Sequence, residues 1–316
     1  MSMKYICMKM STKRKNRSEN MISVLSTPQS PVSVSPNIIM ELRTIQASVI
    51  KNLFESIREI LVDINIVFTA DSIHCTSIDG NKCACVHFRL ETARFEQYMC
   101  KEESIVVGVN MFSLHKLIKP ITNGDTITMR ILKNQRYKLY IIIENVDKHT
   151  KTTSVLKLLD LDQAILSIPD IVFDNIVTIP CIDFQRHCKD MMTISDKVTL
   201  LCNDKCFVMK CSGDFADLVI EIERGLSNEE KRNQKTTGTF SLKYVNLFIK
   251  SSSLCSNVEI YLKKGYPLIL VYRIGSLGKV QFVLAPINDE DENEAENLHE
   301  LENLTNESDN NIEDSI

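Results

Sequence analysis

Lysine and arginine side chains are the residues whose spacing first suggests a chemistry. Eight of them form four pairs separated by three or seven residues: Lys51 and Arg58, Lys116 and Lys119, Arg186 and Lys189, and Lys243 and Lys250. On a helix, both separations place the two members of a pair on the same side. Long flexible cations suit contacts to phosphates, which position a protein on a duplex without reading its sequence. Since no aromatic residues interleave with these cations, we expect sequence-independent attraction to duplex DNA.

Motifs for catalysis or cofactor binding are missing from the sequence. It contains no Gly-rich phosphate loop, no G-x-S-x-G motif and no H-E-x-x-H motif. Asp160 and Asp162 form a carboxylate pair that could hold a metal for phosphoryl chemistry, but no third acid is near, so they are interpreted as exposed charges. We expect a protein that is not an enzyme and has no cofactor.

The eleven cysteines do not have the spacing of a zinc site. Cys83 and Cys85 alternate along a strand. Cys202, Cys206 and Cys211 have three and four residues between them, so neither spacing is a C-x-x-C pair. We expect buried thiols in a reducing compartment and no metal. No apolar run approaches the ~18–20 residues of a membrane span.

Four helices are predicted to carry the paired cations. Their ranges are Ala47–Leu61, Phe112–Lys119, Ile182–Met192 and Leu242–Lys250. In the first, Ile50, Leu53, Phe54 and Ile57 form an apolar face at helical spacing. Short alternating strands occupy most of the remaining sequence, which predicts an α+β fold.

The two halves of the chain look like the same unit repeated. Met111–Arg130 and Thr239–Leu262 both read Phe-Ser-Leu, a short basic helix, a polar turn and an alternating strand. Between the halves lies Val155–Pro169, which begins as a strand and continues with apolar residues. A connection of this composition is expected to lie against the protein surface.

Charge separates the body from the C-terminal segment. Residues 288–316 contain twelve acids and no Lys or Arg, so residues 1–287 hold 37 basic and 41 − 12 = 29 acidic residues, a net of +8. The predicted organisation is a disordered basic and Pro/Ser-rich extension (1–39), two domains (40–156 and 174–287), a linker (157–173) and an acidic disordered tail (288–316).

Several long motifs resemble the proliferating cell nuclear antigen (PCNA) family of DNA sliding clamps. They are G-V-N-M-F-S-L-H-K-L-I-K (108–119), L-K-L-L-D-L-D (156–162), F-S-L-K-Y-V-N-L-F-I-K (240–250), P-L-I-L-V-Y-R-I (267–274) and L-A-P (284–286). The resemblance covers about Met40–Pro286. Together with the N-terminal extension, it suggests a large DNA virus or a divergent eukaryote as the source.

The resemblance implies a homotrimeric ring whose helices line a pore and whose antiparallel sheets form the outside. The eight paired cations would then face double-stranded DNA. The implied partners are DNA polymerase, a clamp loader, and flap endonuclease and ligase type proteins. The implied location is the nucleus, or a viral replication factory if the protein is viral.

The resemblance also implies a groove for partner peptides beside the linker. The matching positions are Ile78, Leu166, Ile168, Pro267, Val283, Ala285 and Pro286, with Lys82, Cys83 and Cys85 near the rim. Val283 and Lys82 stand where the family often has Tyr and His. An apolar groove is therefore expected, with its own peptide preference.

Two other functions remain possible on these residues. The chain could be one subunit of a heterotrimeric checkpoint-type clamp, or a nucleic-acid-processing enzyme with a basic cleft. By analogy with the family, we expect Thr152–Leu158 of one subunit to pair with Met209–Leu218 of the next. Both segments are alternating and apolar enough to be hazardous as open edges.

Overall fold

The computed structural model describes residues 37–162, 166, 171–203, 205–223 and 235–287. The first half contains helices α1 (Ala47–Ile57) and α2 (Met111–Ile118). Its strands are β1 (Ile38–Thr44), β2 (Asp63–Thr69), β3 (Ser72–Ile78), β4 (Ala84–Glu91), β5 (Gln97–Cys100), β6 (Ser104–Asn110), β7 (Asp125–Leu132), β8 (Gln135–Asn145) and β9 (Thr150–Lys157).

The second half contains helices α3 (Cys181–Met192) and α4 (Leu242–Phe248), the latter followed by a 3-10 turn over Ile249–Ser253. Its strands are β10 (Asn175–Pro180), β11 (Lys197–Cys202), β12 (Cys206–Ser212), β13 (Asp217–Glu223), β14 (Thr236–Ser241), β15 (Asn257–Leu262), β16 (Leu268–Ile274) and β17 (Gly278–Leu284). The predicted α+β content is confirmed. No helix in the described ranges is long and apolar enough to cross a membrane.

Local sequence explains where the helices begin and end. The Asn110 side chain accepts a hydrogen bond from Ser113 N (3.0 Å), capping α2, and Pro120 prevents that helix from continuing. Helix α1 ends at Ile57, four residues before the predicted end. The prediction was too long because Leu61 continues the apolar spacing, and this residue is buried although it lies outside the helix.

The strands form three antiparallel sheets. A five-stranded sheet has the order β5-β1-β7-β8-β9, and a four-stranded sheet has the order β13-β12-β11-β14. The third has eight strands in the order β10-β15-β16-β17-β4-β3-β2-β6. It joins the two halves of the chain, because β17 pairs with β4 from Gly278 opposite Leu90 to Leu284 opposite Ala84.

Strand pairing confirms the internal repeat. In the first half, β1 pairs with β7, β2 with β6 and β3, and β8 with β9; in the second, β10 pairs with β15, β11 with β14 and β12, and β16 with β17. Strand β17 is thus the counterpart of β9, and β4 is the counterpart of β13. Within the chain, β17 and β4 pair with each other, whereas β9 and β13 each end a sheet of the described chain.

This arrangement corrects one expected edge. Strand β9 is at an edge, as expected, but Met209–Ser212 belongs to β12, which pairs on both sides with β11 and β13. The open edge is therefore β13, which begins at Asp217.

The four helices pack on the sheets and against each other. Helix α1 contacts α2 and the turn after α4, while α3 contacts α4. Phe54 of α1 meets Phe88 of β4 edge-on at 6.1 Å, and Phe248 of α4 stacks on Phe282 of β17 at 4.9 Å. Aromatic pairs from both halves thus fix the helices to the eight-stranded sheet.

The predicted disordered segments fall outside the structural description. Residues 1–36 and 288–316 are outside the described ranges, as are Gln163–Ile165 and Ser167–Asp170 of the linker. The described chain begins its first strand at Ile38.

Candidate nucleic-acid interface and partner groove

The predicted cations lie on or directly after the four helices. Lys116, Lys119, Arg186, Lys189, Lys243 and Lys250 are exposed, and Lys51 and Arg58 are partly exposed. The opposite helix faces are buried in the core, as Leu53, Leu114, Phe184 and Val245 show. Each helix therefore presents its cations away from the sheets.

Acidic residues form ion pairs with several of these cations and partly neutralise them. Arg58 Nη2 lies 3.7 Å from Glu59 Oε1, and the Glu59 carboxylate also forms an ion pair and hydrogen bond with Lys250. That hydrogen bond is the main cause of a lowered Glu59 pKa. Arg186 Nη2 lies 3.2 Å from Asp183 Oδ1. Glu59, which no sequence pattern indicated, connects a cation of the first half with one of the second.

Two further cations have neighbours that hold their side chains. Lys51 Nζ donates a hydrogen bond to the Ile121 carbonyl oxygen at 2.9 Å. Lys116 Nζ lies 4.3 Å from the centre of the Phe112 ring, which is 56% exposed. The expectation that no aromatic residue accompanies the cations was therefore wrong for Phe112, because residues four apart share one side of a helix.

A buried histidine lies beneath the cations. His115 is 5% exposed, and its Nε2 is 3.8 Å from Glu55 Oε1. Burial lowers the pKa of His115, and the nearby cations Arg58, Lys119 and Lys51 lower it further, while Glu55 opposes them. His115 is therefore neutral at physiological pH. No sequence pattern marks this residue, because one histidine on a helix is not distinctive.

The described residues contain no group of three His, Cys, Asp or Glu side chains arranged to hold a metal ion. Burial raises the pKa of the thiols of Cys75 and Cys188 to about 12. These two side chains pack as small apolar residues.

An apolar row crosses the outer face of the eight-stranded sheet at the expected groove. Ile78 of β3 lies opposite Cys85 of β4, Cys85 opposite Val283 of β17, and Val283 opposite Ile269 of β16. Directly paired residues of an antiparallel sheet point to one face. Cys85 and Ile269 are almost covered, whereas Ile78 and Val283 are partly exposed. Cys85 therefore lies within this row and not at its rim.

The other expected groove positions differ in how much of each side chain is exposed. Leu166, Ala285 and Pro286 are partly exposed, and Pro267 is buried. Ala285 N donates to the Cys83 carbonyl oxygen at 2.9 Å, which ties the segment after β17 to the loop before β4. Ile168 lies outside the described residues.

The described start of the linker lies against β2 and β6. Leu159 N donates to the Gly108 carbonyl oxygen at 2.8 Å, and Asn65 Nδ2 donates to the Leu161 carbonyl oxygen at 3.1 Å. The expected surface contact is confirmed for residues 159–161. Asp160 and Asp162 are exposed, as their interpretation as solvent-facing charges requires.

The loop between β3 and β4 forms one rim of this surface. The Asp79 carboxylate accepts hydrogen bonds from the backbone N–H groups of Cys83 (2.8 Å) and Ala84 (2.7 Å). It also accepts one at 2.7 Å from the hydroxyl of Tyr244, which belongs to α4. Burial raises the pKa of Tyr244 to about 12. A cation-bearing helix is thus bonded directly to the groove rim.

Comparison with known proteins matches both halves of the chain. The family model for the PCNA N-terminal domain matches residues 39–165, and the model for its C-terminal domain matches residues 167–287. "Probable DNA polymerase sliding clamp 1" of Paramecium bursaria Chlorella virus 1 is 37% identical over 257 residues, which is 79% of this chain and 98% of that protein. "Proliferating cell nuclear antigen" of Chaetomium thermophilum is 30% identical over 262 residues, which is 80% of this chain and 100% of that protein. With both domains matched in order on the fold described above, the chain belongs to the proliferating cell nuclear antigen family.

Proposed function

We propose that this protein is a DNA sliding clamp and polymerase processivity factor. Identical subunits close a ring around duplex DNA, and the ring holds DNA polymerase and other replication enzymes at their template. The observation that carries the proposal is the repeated fold, in which β9 and β13 are the counterparts of the paired strands β17 and β4 but each end a sheet of the described chain.

Ring closure follows from the equivalence of the strands. Because β17 pairs with β4 inside the chain, their counterparts β9 and β13 are shaped for the same antiparallel pairing. Within one chain, β9 and β13 end two separate sheets and do not pair with each other. Each of them therefore pairs with a strand of a neighbouring subunit. Three subunits, the number implied by the family, give a ring of six similar domains.

The helices would line the pore of this ring with their cations toward DNA. Exposed Lys and Arg form phosphate contacts that are numerous, individually weak and independent of sequence. Glu59 and Asp183 reduce the net charge of three cations, Lys250, Arg58 and Arg186. A moderated positive lining suits a ring that must attract DNA and still slide along it.

Partner enzymes would bind at the apolar row beside the linker. The proposed contact positions are Ile78, Leu166, Ile168, Pro267, Val283, Ala285 and Pro286. A peptide with aliphatic and aromatic anchors buries them there, and a few such anchors dominate binding. The partners are DNA polymerase, a clamp loader, and flap endonuclease and ligase type proteins. The protein itself acts as a scaffold without catalysis, in the nucleus or at a viral replication site.

The solution mass of the purified full chain tests the proposal. We expect light scattering to give three chain masses of 36.0 kDa each. A stable monomer at micromolar concentration would contradict ring closure by identical subunits. It would favour the alternative of a heterotrimeric clamp, in which this chain needs two different partners.

A further inference from the structure

A row of like charges crosses the outer face of the eight-stranded sheet, four residues along β17 from the apolar row. Arg89 of β4 lies directly opposite Lys279 of β17, and Lys279 lies directly opposite Arg273 of β16. All three side chains are exposed. We call these three residues the basic row. Like charges directly opposite one another in a sheet repel, so the arrangement is unfavourable without an anion.

The basic row is only partly neutralised by nearby acids. Arg273 Nη2 lies 3.3 Å from Glu259 Oε1, whereas Arg89 and Lys279 have no ion pair within the described parts of the chain. The row borders a shallow cavity of about 290 Å³, which Arg94 and Glu91 also line. Those two residues pair with each other at 3.3 Å. The cavity therefore has four cations and one acid in its lining, and Glu259 stands beside it.

Two histidines lie beside the basic row, and its positive charges affect their pKa values. His74 lies opposite Arg89, and His87 lies two residues before Arg89 on the same face of β4. The pKa of His87 is lowered to about 4, mainly by burial, with the nearby cations Lys279 and Arg89 acting in the same direction. Burial lowers the pKa of His74, with Arg89 as the second cause. Both rings are neutral at physiological pH, so they add no charge to the row.

The acidic segment of the same chain begins within reach of this surface. The described chain ends at Ile287, three residues after β17, and six acids occur between Asp289 and Glu296. Lys279 precedes Leu284 by five strand residues, or roughly 17 Å. An extended chain covers about 3.3 Å per residue, so roughly six to eight residues beyond Ile287 can return to the basic row.

We infer that the basic row is the docking surface for the acidic segment Asp289–Glu296 of this protein. The segment supplies carboxylates to Arg89 and Lys279, which lack acidic partners among the described residues. Docking depends on the charges and the chain path alone, and it holds whether or not the apolar row binds partner peptides.

Zero-length cross-linking of the full chain tests this placement. A carbodiimide joins a carboxylate to a lysine amine only when the two are in contact, and mass spectrometry identifies the linked peptides. We expect Glu294 and Glu296, seven and nine residues beyond Ile287, to link mainly to Lys279. Because the contact is between exposed charges, 0.5 M NaCl should reduce the yield at least about threefold.

Substitutions in the basic row sharpen the test. Arg89→Gln and Arg89→Glu should lower the yield at Lys279 progressively, with circular dichroism confirming that both variants fold. Lys279→Arg keeps the charge but removes the amine, so that link should disappear. The matched control Lys133→Glu changes an exposed lysine in the turn between β7 and β8 and should leave the yield unchanged.

Three results would overturn the inference. One is a tail linked equally to lysines over the whole surface. Another is a yield at Lys279 that neither salt nor Arg89→Glu lowers. The third is a tail whose links lie mainly on Lys116 and Lys243, which would place the acids on the helix faces.

Discussion

Gly108 shows how one residue can position the linker. A Cβ atom at this position would lie 2.2 Å from the Leu159 carbonyl oxygen. The same glycine accepts the hydrogen bond from Leu159 N, so linker and β6 backbones meet directly. We expect Gly108→Ala to separate them and to lower the free energy of unfolding by about 1–3 kcal/mol. Urea denaturation measures this loss.

Gly80 provides the matched control for that substitution. A Cβ atom at Gly80 would meet nothing within 4 Å. Gly80→Ala should therefore leave the unfolding midpoint nearly unchanged. Equal effects of the two substitutions would show that backbone contact at Gly108 is not what holds the linker.

His87 gives the protein a pH dependence with a defined sign. The pKa of His87 is lowered from 6.5 to about 4 in the folded protein, first by burial and then by nearby positive charges. Between these two pH values, the unfolded chain binds a proton that the folded chain does not, so stability falls as pH decreases from 6.5 toward 4. The expected loss is on the order of 1–3 kcal/mol.

Replacing the ring isolates this contribution. His87→Gln keeps a polar side chain that can still bond to Thr76 Oγ1, now 2.8 Å from His87 Nδ1, but it cannot be protonated. Its unfolding free energy should change less between pH 6.5 and pH 4 than that of the wild type. Parallel pH profiles for both proteins would assign the titration to other groups.

Exposed cations were easier to predict than their neighbours. Lys116 and Lys189 were found from sequence because a charge on the solvent side of an amphipathic helix follows from its periodicity. Glu59 was missed because its importance depends on Lys250, which is 191 residues away. The placement of His115 in the core likewise depends on packing between α1 and α2.

At the scale of elements, α4 connects two surfaces that the sequence suggests separately. Its Lys243 belongs to the cation set, and its Tyr244 bonds to Asp79 in the loop that borders the apolar row. Asn81 Nδ2 also donates to the Tyr244 hydroxyl at 2.9 Å. Through these two hydrogen bonds, a displacement of α4 would also displace the loop that borders the groove.

The edge strands β9 and β13 allow a direct prediction about assembly. Val155 on β9 is 45% exposed and Val219 on β13 is 50% exposed. An aspartate at either position would place a charge in the proposed interface. We expect Val155→Asp and Val219→Asp each to shift the protein toward monomer at micromolar concentration, because burying an unpaired charge is costly. Sedimentation velocity measures the shift.

Val146 offers the control for these substitutions. It is 74% exposed but lies in the turn between β8 and β9, away from the open edge. Val146→Asp should leave assembly intact. If all three variants assemble like the wild type, β9 and β13 do not join subunits.

Some strands could not be predicted because the strands they pair with are distant in the sequence. β14 reads T-T-G-T-F-S, which has little strand pattern of its own and is ordered by pairing with β11. β5 has only four residues and pairs with β1, which lies far earlier in the chain. The joining of both halves through β4 and β17 leaves no local sequence signal either, since strand pairing over such distance depends on the whole fold.

At the scale of the whole molecule, charge is divided by function. Residues 1–287 carry a net charge of +8 (37 basic minus 41 − 12 = 29 acidic), and the segment after them carries twelve acids. Six basic residues and one acid of that total lie in residues 1–36, so this segment alone contributes +5. Among the described residues, exposed cations lie on the helices and in the outer basic row. We propose that the acidic segment neutralises the basic row and leaves the cations of the helices to contact DNA.

Charge reversal on the helices is the decisive prediction for that division. Lys116 and Lys243 are both exposed, and each belongs to a different half. We expect Lys116→Glu combined with Lys243→Glu to weaken DNA association with little effect on folding, because these side chains contact solvent and not the core. Removing phosphate contacts should also flatten the salt dependence of binding.

The matched control is Lys133→Glu combined with Lys264→Glu, which changes the total charge equally. These exposed lysines lie in the turn between β7 and β8 and in the turn between β15 and β16. Polymerase stimulation on primed DNA, measured across a salt series, compares the two double variants. If the helix variant stimulates as well as the wild type at low salt, or if the turn variant loses as much activity, the helices do not face DNA.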